Sequence, residues 1–562
     1  MKIVIVGGVA CGAKTAARLA RVCPEAEITL LERGNDLSYA NCGFPFYLGG
    51  EIKSRNGLTH MGFGPARDAA YFEDYAFTGA LTGHEVVSID RRRKEVTAKI
   101  VGTDATRVFS YDKLVLATGA SPIRPALPGM ELQNVFNLWT LRDTLAIEEA
   151  LNGGNVRNAV IVGAGLVGVE TAEALKHKGL NVTLIDALPL PLFAVAGPEF
   201  GTMLQSQLKK NGIVFYGRES LKALEGEGKV RKVLTDVRRL DADLVIVSIG
   251  VRPNLELARN AELEIGTRAI RVDEFQRTSD PDIYAGGDCV ESCNILTGKP
   301  VWQPMGSTAN RQGRVIADHI AGLPSRFGGV EGTSIARVFD WTVGKTGLSA
   351  EAARDAGFSP VEILSSNPDI PNFMPGSAMM FIRLVADEPT RRILGAQATG
   401  PGKADKRLDV VATAIKGNLT VDDLSDADLA YAPPFSTALD PLTHAANALR
   451  NKMDGLMKSV GPQELQNKAE RGEDFVVLDV RNEKELALFG KLPYEVCHIP
   501  LGELKKRERE LPREREIVIV CRAGVRAWTA YSMLARFGYK RIAVLEGGMS
   551  AWPYETVPHP ID

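Results

Sequence analysis

The feature that most constrains the fold is a glycine-rich turn between an apolar strand and a helix. Residues 159–162 read Ala-Val-Ile-Val, and the turn at 163–168 carries glycine at its first, third and sixth positions. Glycines with this spacing allow a tight turn, close approach of a pyrophosphate and packing of the helix on the strand. Asp186 lies 18 residues beyond Gly168, where a carboxylate accepts ribose hydroxyls. The pattern predicts a dinucleotide-binding βαβ unit rather than a merely structural turn.

The residues after this acid indicate which dinucleotide binds. Asp186 is followed by Ala187, Leu188 and Pro189, so no arginine or lysine is in place for a 2′-phosphate. We therefore expect NADH rather than NADPH. The candidate NADH-binding residues are Gly163, Gly165, Leu166, Val167, Gly168 and Asp186.

A second, less regular turn of this kind lies near the N-terminus. An apolar strand precedes Gly-Gly-Val-Ala-Cys-Gly at 7–12, so valine occupies the middle glycine position. Glu32 follows Gly12 by 20 residues, again at a ribose-binding position. We predict a second dinucleotide site, whose candidate residues are Gly7, Gly8, Val9, Ala10, Gly12 and Glu32.

Composition excludes several other classes of protein. The 562 residues include 67 basic and 69 acidic side chains, for a formal charge of −2. We expect no nucleic acid and no membrane as partners, because the charge is balanced and no apolar run reaches the roughly 18 residues of a spanning helix. The seven cysteines are few and odd in number, and an apolar strand begins at residue 2 with no signal peptide before it. We therefore predict a protein of the reducing cytoplasm. Cys289 and Cys293 have helical spacing, and we expect them to pack rather than to form a metal site.

Two further strand ends extend the pattern of the glycine turns. The segments Leu-Ala-Thr-Gly-Ala at 116–120 and Ile-Tyr-Ala-Gly-Gly-Asp at 283–288 end strands in small residues or in Gly-Asp. Together with the two turns, they resemble the pyridine nucleotide-disulfide oxidoreductase family over residues 1 to about 450. The resemblance implies FAD at the first turn and NADH at the second. It also implies cofactor contacts from Arg33, Asn41, Val86, Thr118, Gly119, Glu170, Gly250 and Asp288.

Cys42 is the candidate redox centre. It stands in Ser-Tyr-Ala-Asn-Cys-Gly-Phe-Pro at 38–45, without the Cys-x4-Cys pair of two-thiol reductases. This resembles the one-cysteine branch, which contains coenzyme A-disulfide reductases, NADH-dependent persulfide reductases, and NADH peroxidases and oxidases. A lone thiol forms a mixed disulfide with substrate or a sulfenate with peroxide. We expect Cys42 to be a thiolate whose pKa is lowered by the flavin and by a helix N-terminus.

A second motif concerns coenzyme A. Tyr-Ala-Pro-Pro-Phe-Ser at 431–436 resembles the coenzyme A-disulfide reductases, which implies a homodimer in which Tyr431 reaches the active cysteine across the interface, unless Tyr431 only packs. Phe373 stands in the segment where those reductases usually have a second active-site tyrosine. Arg18 and Arg21 share a helix face that meets a nucleotide phosphate or is a solvated basic surface. The implied coenzyme A channel uses Ala10, Arg18, Arg21, Ser38 and Asn41.

The C-terminal part contains another candidate reactive cysteine. Cys-Arg-Ala-Gly-Val-Arg at 521–526 lies between a strand and a helix, an arrangement that points loop amides at the sulfur of Cys521. Four residues separate Cys521 from Arg526, one fewer than in tyrosine phosphatases, so the loop favours sulfur over phosphate. The segment resembles the rhodanese sulfurtransferase loop, which implies a persulfide at Cys521. Arg522 and Arg526 either hold an anionic donor or brace the loop.

These observations predict an α/β protein with four domains. The resemblances imply two Rossmann-like nucleotide domains, an α+β dimerisation domain and a C-terminal α/β rhodanese domain. The predicted boundaries are 1–115 with 245–325 for FAD, 116–244 for NADH, 326–450 for dimerisation, 451–462 for a linker and 463–562 for the rhodanese domain.

The functional hypothesis is an FAD-dependent NADH reductase of persulfides or polysulfides, with coenzyme A persulfide and coenzyme A disulfide among the candidate substrates. Cys42 releases sulfide or thiol, and Cys521 transfers sulfane sulfur. The nearest alternative is an NADH peroxidase or oxidase that uses a Cys42 sulfenate. A second alternative is a redox-sensing sulfur-carrier module in which the flavin only reports redox state.

Overall fold

The computed structural model describes residues 1–62 and 64–559. These described residues form two compact units, one within 1–189 and 212–330 and the other within 190–211 and 331–559. Both units contain parallel sheets with helices between their strands, which confirms the predicted α/β class. No helix among the described residues is long and apolar enough to span a bilayer.

Among the described residues, the first unit contains twenty strands. The first ten are β1 (Lys2–Val6), β2 (Glu27–Leu31), β3 (Thr78–Leu81), β4 (His84–Asp90), β5 (Glu95–Ile100), β6 (Thr106–Ser110), β7 (Lys113–Leu116), β8 (Ala120–Pro122), β9 (Val135–Phe136) and β10 (Asn158–Val162). The next ten are β11 (Asn181–Asp186), β12 (Ile213–Gly217), β13 (Leu221–Glu225), β14 (Lys232–Thr235), β15 (Arg239–Asp241), β16 (Leu244–Val247), β17 (Val251–Pro253), β18 (Ile283–Ala285), β19 (Ser292–Cys293) and β20 (Pro300–Val301).

The described part of the second unit contains ten strands, and helices occur in both units. The strands are β21 (Ser334–Val338), β22 (Trp341–Gly347), β23 (Pro360–Pro368), β24 (Met379–Asp387), β25 (Ile393–Gly400), β26 (Ser459–Val460), β27 (Phe475–Asp479), β28 (Val496–His498), β29 (Glu516–Val520) and β30 (Ile542–Leu545). The helices up to α9 are α1 (Cys11–Val22), α2 (Phe44–Leu48), α3 (Asn56–Thr59), α4 (Ala69–Ala76), α5 (Leu141–Asn152), α6 (Leu166–His177), α7 (Phe193–Lys210), α8 (Glu256–Asn260) and α9 (Gly306–Ile320). The later helices are α10 (Ala350–Asp355), α11 (Ala404–Lys416), α12 (Val421–Ser425), α13 (Pro441–Met453), α14 (Pro462–Glu470), α15 (Glu483–Phe489), α16 (Leu504–Arg507) and α17 (Val525–Arg536).

Two parallel sheets organise the first unit. One has the strand order β18-β7-β1-β2-β3 and the other β12-β11-β10-β16-β9. Along β1, Ile3 and Ile5 face a core that includes Leu19 of α1, whereas Val4 and Val6 face the opposite core. Burial on both faces explains why the strand is a continuous apolar run. In each sheet an interior strand, β1 or β10, leads into its glycine turn.

The segment with Cys289 and Cys293 differs from the prediction. We expected helical spacing, but Cys293 lies in β19, which pairs with β20. The backbone of this segment exchanges hydrogen bonds with Ile270, from the Ile270 amide to the Cys289 carbonyl and from the Glu291 amide to the Ile270 carbonyl. That extended pairing competes with a helix and prevails. Cys289 is fully buried, as expected for packing, but Cys293 is exposed.

Two sheets organise the second unit. An antiparallel sheet has the order β21-β22-β25-β24-β23, and the C-terminal parallel sheet has the order β26-β30-β29-β27-β28. Val518 and Val520 of β29 contribute to the core of the C-terminal sheet, which also contains Trp552. Strand β29 of this sheet ends at residue 520, so Cys521 follows directly at its carboxyl end.

Helix α7 packs on the antiparallel sheet and is broken at Gly197, whose φ is 68°. Pro198 has no N–H, so it cannot donate to the Ala194 carbonyl one turn earlier. Lys345 Nζ donates to that carbonyl at 2.7 Å, and Gln397 Nε2 donates to the next one, Val195 O, also at 2.7 Å. Side chains of β22 and β25 therefore replace the helical hydrogen bonds that the break removes.

Candidate functional site

The first glycine turn is built to receive an anionic group. Gly7 has φ +103°, and a Cβ there would lie 2.1 Å from the Ala117 carbonyl oxygen, so no other residue fits. Helix α1 begins at Cys11, and no side chain caps its N-terminus. Its first amides are therefore free to face a phosphate. Gly8, Val9, Ala10 and Gly12 complete this turn and the start of the helix.

The carboxylate of Glu32 lies against the first turn. Its two oxygens accept hydrogen bonds from the amides of Gly8 at 2.8 Å and Gly34 at 2.7 Å. These bonds fix the carboxylate and leave lone pairs for further donors, because each oxygen can accept more than one bond. The geometry suits a ribose whose hydroxyls approach from the open side of the turn.

The second glycine turn repeats the first in detail. Gly163 has φ +107°, and a Cβ there would lie 2.3 Å from Ser248 O. The Asp186 carboxylate accepts from the amides of Ala164 at 2.6 Å and Leu188 at 2.7 Å. Helix α6 begins at Leu166 without a side-chain cap. Each turn thus presents the same combination of free helix amides and a fixed carboxylate, and both fit a dinucleotide.

Thr118, Gly119 and Asp288 lie at the carboxyl ends of β7 and β18, beside β1 and its turn. Asn254 holds the Thr118 segment, because its Nδ2 donates to Thr118 O at 2.7 Å while Thr118 Oγ1 donates to Asn254 O at 3.1 Å. Burial raises the pKa of Asp288 to about 6. The structure therefore brings these predicted residues to the same sheet edge as the first turn.

Cys42 lies in a single 3-10 turn, Asn41–Gly43, directly before α2. Asn41 Oδ1 accepts from the Cys42 amide at 3.0 Å and from its thiol at 3.7 Å. Although the residue is exposed, protein atoms around the thiol desolvate it, and this raises its pKa, with further contributions from the carboxylates of Glu170 and Asp288. Two predicted site residues from distant parts of the chain, Glu170 and Asp288, therefore act on one thiol.

The predicted lowering of the Cys42 pKa is wrong for the chain by itself. The helix that follows Cys42 has only five residues, Phe44–Leu48, so its dipole is small. Two negative charges nearby oppose formation of the thiolate. A lowered pKa would have to come from groups that bind to the chain.

The residues predicted for coenzyme A lie near the first turn or along α1. Ser38 has φ 47°, and its amide donates to Gly8 O at 2.9 Å, which places it beside the turn. Arg18 forms an ion pair with the buried Asp318 of α9, with Nε 2.6 Å from Oδ1, whereas Arg21 is exposed. Arg18 is therefore neither a free phosphate ligand nor a solvated surface residue in this structure, and it joins α1 to α9.

The remaining predicted cofactor residues are placed as follows. Val86 of β4 has its side chain buried in a hydrophobic core of the first unit, so only its backbone is available to a ligand. Gly250 has φ +101°, and its carbonyl accepts from the Ile123 amide at 3.0 Å. Arg33 is exposed beside Glu32, and Val167 is exposed in the first turn of α6.

Within the Tyr-Ala-Pro-Pro-Phe-Ser motif, the final serine is buried and the other residues are exposed or half-buried. Ser436 Oγ donates to Asp440 Oδ2 at 2.8 Å, and Arg407 Nη2 donates to the same oxygen at 2.9 Å. Tyr431 is instead 54% exposed, and Phe373 is 77% exposed. Exposed aromatic side chains are typical of interaction surfaces. The burial separates a structural serine from a tyrosine that is free to contact another molecule.

Cys521 is buried at the start of the loop between β29 and α17. The Gly524 amide donates to its sulfur at 3.0 Å. Arg526 donates to both oxygens of Glu485, at 2.6 and 2.5 Å, while the exposed Arg522 lies over the Phe489 ring at 5.2 Å. Of the two roles considered for these arginines, Arg526 braces the loop and Arg522 is accessible to an anion.

Some residues that build the site had no signal in the sequence. Gln312 Oε1 accepts from the Gly287 amide at 2.8 Å, and Trp302 Nε1 donates to Asp288 O at 2.8 Å. These contacts join residues that are 25 and 14 positions apart, so no single sequence motif contains both partners. Similarly, Glu51, Glu173 and His177 bring potential metal-ligating atoms within 4.8 Å of one another, although we predicted no metal site.

Comparison with known proteins now identifies the class of protein. Residues 1–313 match the family described as pyridine nucleotide-disulphide oxidoreductase, and residues 333–442 match its dimerisation domain. Residues 461–554 match the rhodanese-like domain. The chain therefore belongs to the pyridine nucleotide-disulphide oxidoreductase family and carries a rhodanese-like domain at its C-terminal side, which confirms the resemblances found in the sequence.

Two relatives and one solved structure show which kinds of family member the chain is similar to. An NAD(P)H sulfur oxidoreductase (CoA-dependent) of Pyrococcus abyssi is 34% identical over 80% of this chain and 98% of its own length. An NADH oxidase of Methanocaldococcus jannaschii is 32% identical over 81% of this chain and 99% of its own length. The solved structure of a NAD-dependent persulfide reductase from A. fulgidus is 37% identical, covers 98% of this chain and 100% of its own chain, and has a TM-score of 0.93.

Proposed function

We propose that this protein is an FAD-dependent NADH reductase of persulfides and polysulfides, with a sulfurtransferase centre in the same chain. The observation that carries the proposal is that two thiols lie in two separate sites with different surroundings. Cys42 lies beside the carboxylates of Glu170 and Asp288, and Cys521 lies in a strand-loop-helix with a loop amide on its sulfur. The persulfide reductase from A. fulgidus spans both sites, because it matches 98% of the chain.

The two glycine turns supply the proposed cofactor sites. We infer that the first turn with Glu32 holds FAD and that the second turn with Asp186 holds NADH, because both offer free helix amides and a fixed carboxylate. A bound flavin supplies the Cys42 centre with electron pairs taken from NADH. Asp186 accepts two backbone amides and has no basic neighbour in the next three residues, which favours NADH over NADPH.

The reductive step belongs to Cys42. Its thiolate attacks the sulfane sulfur of R–S–S–H, which forms Cys42–S–S–H and releases R–S⁻. An electron pair then releases HS⁻ and restores the thiolate, and protonation of R–S⁻ and HS⁻ gives the thiol and hydrogen sulfide. The net reaction is R–S–S–H + NADH + H⁺ → R–S–H + H₂S + NAD⁺. In the proposed homodimer, the exposed Tyr431 donates a hydrogen bond or a proton to the departing thiolate.

The transfer step belongs to Cys521. Its thiolate attacks the outer sulfur of a donor such as thiosulfate, which gives a Cys521 persulfide and sulfite. The Gly524 amide stabilises the negative sulfur, and Arg522 attracts the anionic donor. A carrier thiolate such as that of coenzyme A then removes the outer sulfur and becomes the persulfide that Cys42 reduces. The coenzyme A contacts that we propose are those of Ala10, Arg21, Ser38 and Asn41, because Arg18 is paired with Asp318.

Anaerobic NADH oxidation by single-cysteine variants tests this proposal. We expect rapid turnover with coenzyme A persulfide and little with hydrogen peroxide. Cys42→Ser abolishes the NADH-linked reaction, whereas Cys521→Ser abolishes sulfur transfer from thiosulfate to cyanide but leaves persulfide reduction. Cys293→Ser serves as the matched control, because Cys293 is exposed and lies outside both sites. Persulfide reduction at the wild-type rate in Cys42→Ser would refute the central mechanism.

A second candidate function is NADH oxidation by dioxygen or peroxide through a Cys42 sulfenate. The 32% identity with an NADH oxidase over 81% of this chain favours it, and the match to the Pyrococcus abyssi sulfur oxidoreductase covers a similar 80%. The oxidase reading leaves the Cys521 loop without a role. Dioxygen consumption distinguishes the two functions, because an oxidase consumes it in proportion to NADH without any sulfur substrate.

A further inference from the structure

Glu546 joins the C-terminal sheet to two other parts of the second unit. It follows β30 and is only 6% exposed. Its carboxylate accepts from Ser459 Oγ at 2.6 Å, from Lys452 Nζ at 2.7 Å and from the Leu364 amide at 2.9 Å. These donors come from β26, α13 and β23 respectively. One buried carboxylate therefore connects the rhodanese-like domain with the dimerisation domain.

The ion pair with Lys452 offsets the desolvation of the Glu546 carboxylate. Lys452 Nζ also donates to Glu362 O at 2.9 Å, so it contacts β23 as well. Burial and the nearby Glu546 and Glu199 carboxylates raise the pKa of Glu362, while Arg383 opposes that shift. An isolated buried charge in such surroundings is costly, and removing one member of a buried pair is destabilising. Removal of either member of the Glu546–Lys452 pair should therefore weaken this connection between the two domains.

The residues after Glu546 support the Cys521 loop directly. A Cβ at Gly548 would lie 2.5 Å from Cys521 O, so the two backbones touch. The Met549 amide donates to Cys521 O at 2.9 Å, and the Ser550 amide donates to Arg522 O at 2.9 Å. The residues that contact the Cys521 loop thus lie only two to four positions beyond Glu546 along the chain.

We propose that Glu546 is a positioning residue that fixes the Cys521 loop relative to β23 and α13. This inference rests on the proposed function, because it assigns the anchor a role in sulfur transfer. The step affected is Cys521–S–S⁻ + R–S⁻ → Cys521–S⁻ + R–S–S⁻, in which the sulfur–sulfur bond at Cys521 breaks and a new one forms on the carrier. A fixed loop presents the persulfide to the carrier thiolate in one orientation.

The test compares three rates in the full chain and in Glu546→Gln. The first is sulfur transfer from thiosulfate to cyanide, which needs only Cys521. The second is NADH oxidation with added coenzyme A persulfide, which needs only Cys42. The third is NADH oxidation driven by thiosulfate with a small amount of coenzyme A, in which every turnover passes through both thiols. We expect the first and third rates, which both depend on the Cys521 loop, to fall about tenfold while the second stays within about twofold.

Matched variants guard the test against misfolding. Glu464→Gln removes an exposed carboxylate of α14 and should leave all three rates unchanged. Lys452→Met removes the cationic partner and should reproduce the Glu546→Gln pattern if that variant does not fold. The proposal is overturned if the three rates fall by the same factor, which indicates a purely structural role, or if none of them falls.

Hydrogen exchange gives a readout that does not depend on activity. In Glu546→Gln the Leu364 amide and the backbone of 521–526 should exchange faster than in the wild type, because the anchor that orders them is weakened. Unchanged exchange at both places contradicts the inference. If the wild type fails to link thiosulfate to NADH, the proposed function is wrong, while the exchange data still decide whether Glu546 holds the loop.

Discussion

At the scale of single residues, the environment of Cys42 is the most informative feature. The chain holds two carboxylates, Glu170 and Asp288, close enough to raise the pKa of this thiol. Carboxylates beside a nucleophilic thiol oppose its ionisation but repel the product thiolate and sulfide. With the proposed function, such a site favours release of anionic products, and the thiol needs activation by a group that binds to the chain.

The charge of Glu170 can be tested on its own. In Glu170→Gln the nearby negative charge is gone, so the pKa of Cys42 falls and the thiolate forms at lower pH. We expect alkylation of Cys42 by iodoacetamide at pH 7 to be roughly two- to fivefold faster in this variant. The rate measured against pH should shift toward acid relative to wild type. Glu149→Gln, which changes an exposed carboxylate of α5, should leave the curve in place.

Replacement of the two arginines of the C-terminal loop should change different kinetic constants. Arg522 is accessible, so Arg522→Ala raises the KM for thiosulfate about tenfold with little change in kcat. Arg526 is paired with Glu485, so Arg526→Ala loosens the loop and lowers kcat about tenfold. The assay is transfer of sulfur from thiosulfate to cyanide, with the exposed Arg536→Ala as control. The reverse split would mean that Arg526, not Arg522, contacts the donor.

At the scale of elements, α7 shows how a helix break is stabilised. Pro198 and Gly197 interrupt the helix, and Lys345 and Gln397 donate to the carbonyls of Ala194 and Val195. The amide of Gln397 also accepts from Arg383 Nη1 at 3.3 Å. This side chain therefore satisfies a freed helix carbonyl and a buried guanidinium together.

Replacing Gln397 by leucine should lower the stability of the second unit. The Val195 carbonyl then loses its donor, and an unsatisfied buried group costs about 1–3 kcal/mol. We expect a lower urea midpoint for the transition of the second unit, followed by circular dichroism. Gln133→Leu, at an exposed position, should leave the midpoint unchanged. An unchanged midpoint in Gln397→Leu would show that water replaces the amide.

The sequence predicts elements well where their cause is local. The turns at 7–12 and 163–168 are predictable because each needs glycine at a positive φ beside an adjacent strand. The helix expected around Cys289 and Cys293 is wrong, since pairing with Ile270 and with β20 overrides the spacing. Glu546 could not be predicted, because its amide donor, Leu364, lies 182 residues away. Contacts of that kind depend on tertiary packing alone.

At the scale of the whole molecule, the C-terminal domain is the part that distinguishes this chain from its shorter relatives. The Pyrococcus abyssi sulfur oxidoreductase matches 98% of its own length to 80% of this chain. We expect a chain that ends at residue 455 to oxidise NADH with coenzyme A persulfide within about threefold of the wild-type rate, because Cys42 and both turns are intact. Thiosulfate-driven oxidation should disappear in the same assay. Loss of both activities would show that the reductase depends on its C-terminal domain.

Removing that domain has another consequence, which follows from the position of β23. This strand lies at the end of its sheet, where outward amides and carbonyls have no neighbouring strand to pair with. The Glu546–Lys452 pair occupies the Leu364 amide and the Glu362 carbonyl in place of such a strand. Unprotected sheet edges recruit strands from other molecules. The shortened chain should therefore aggregate more readily than the full one, so the domain also protects the sheet against self-association.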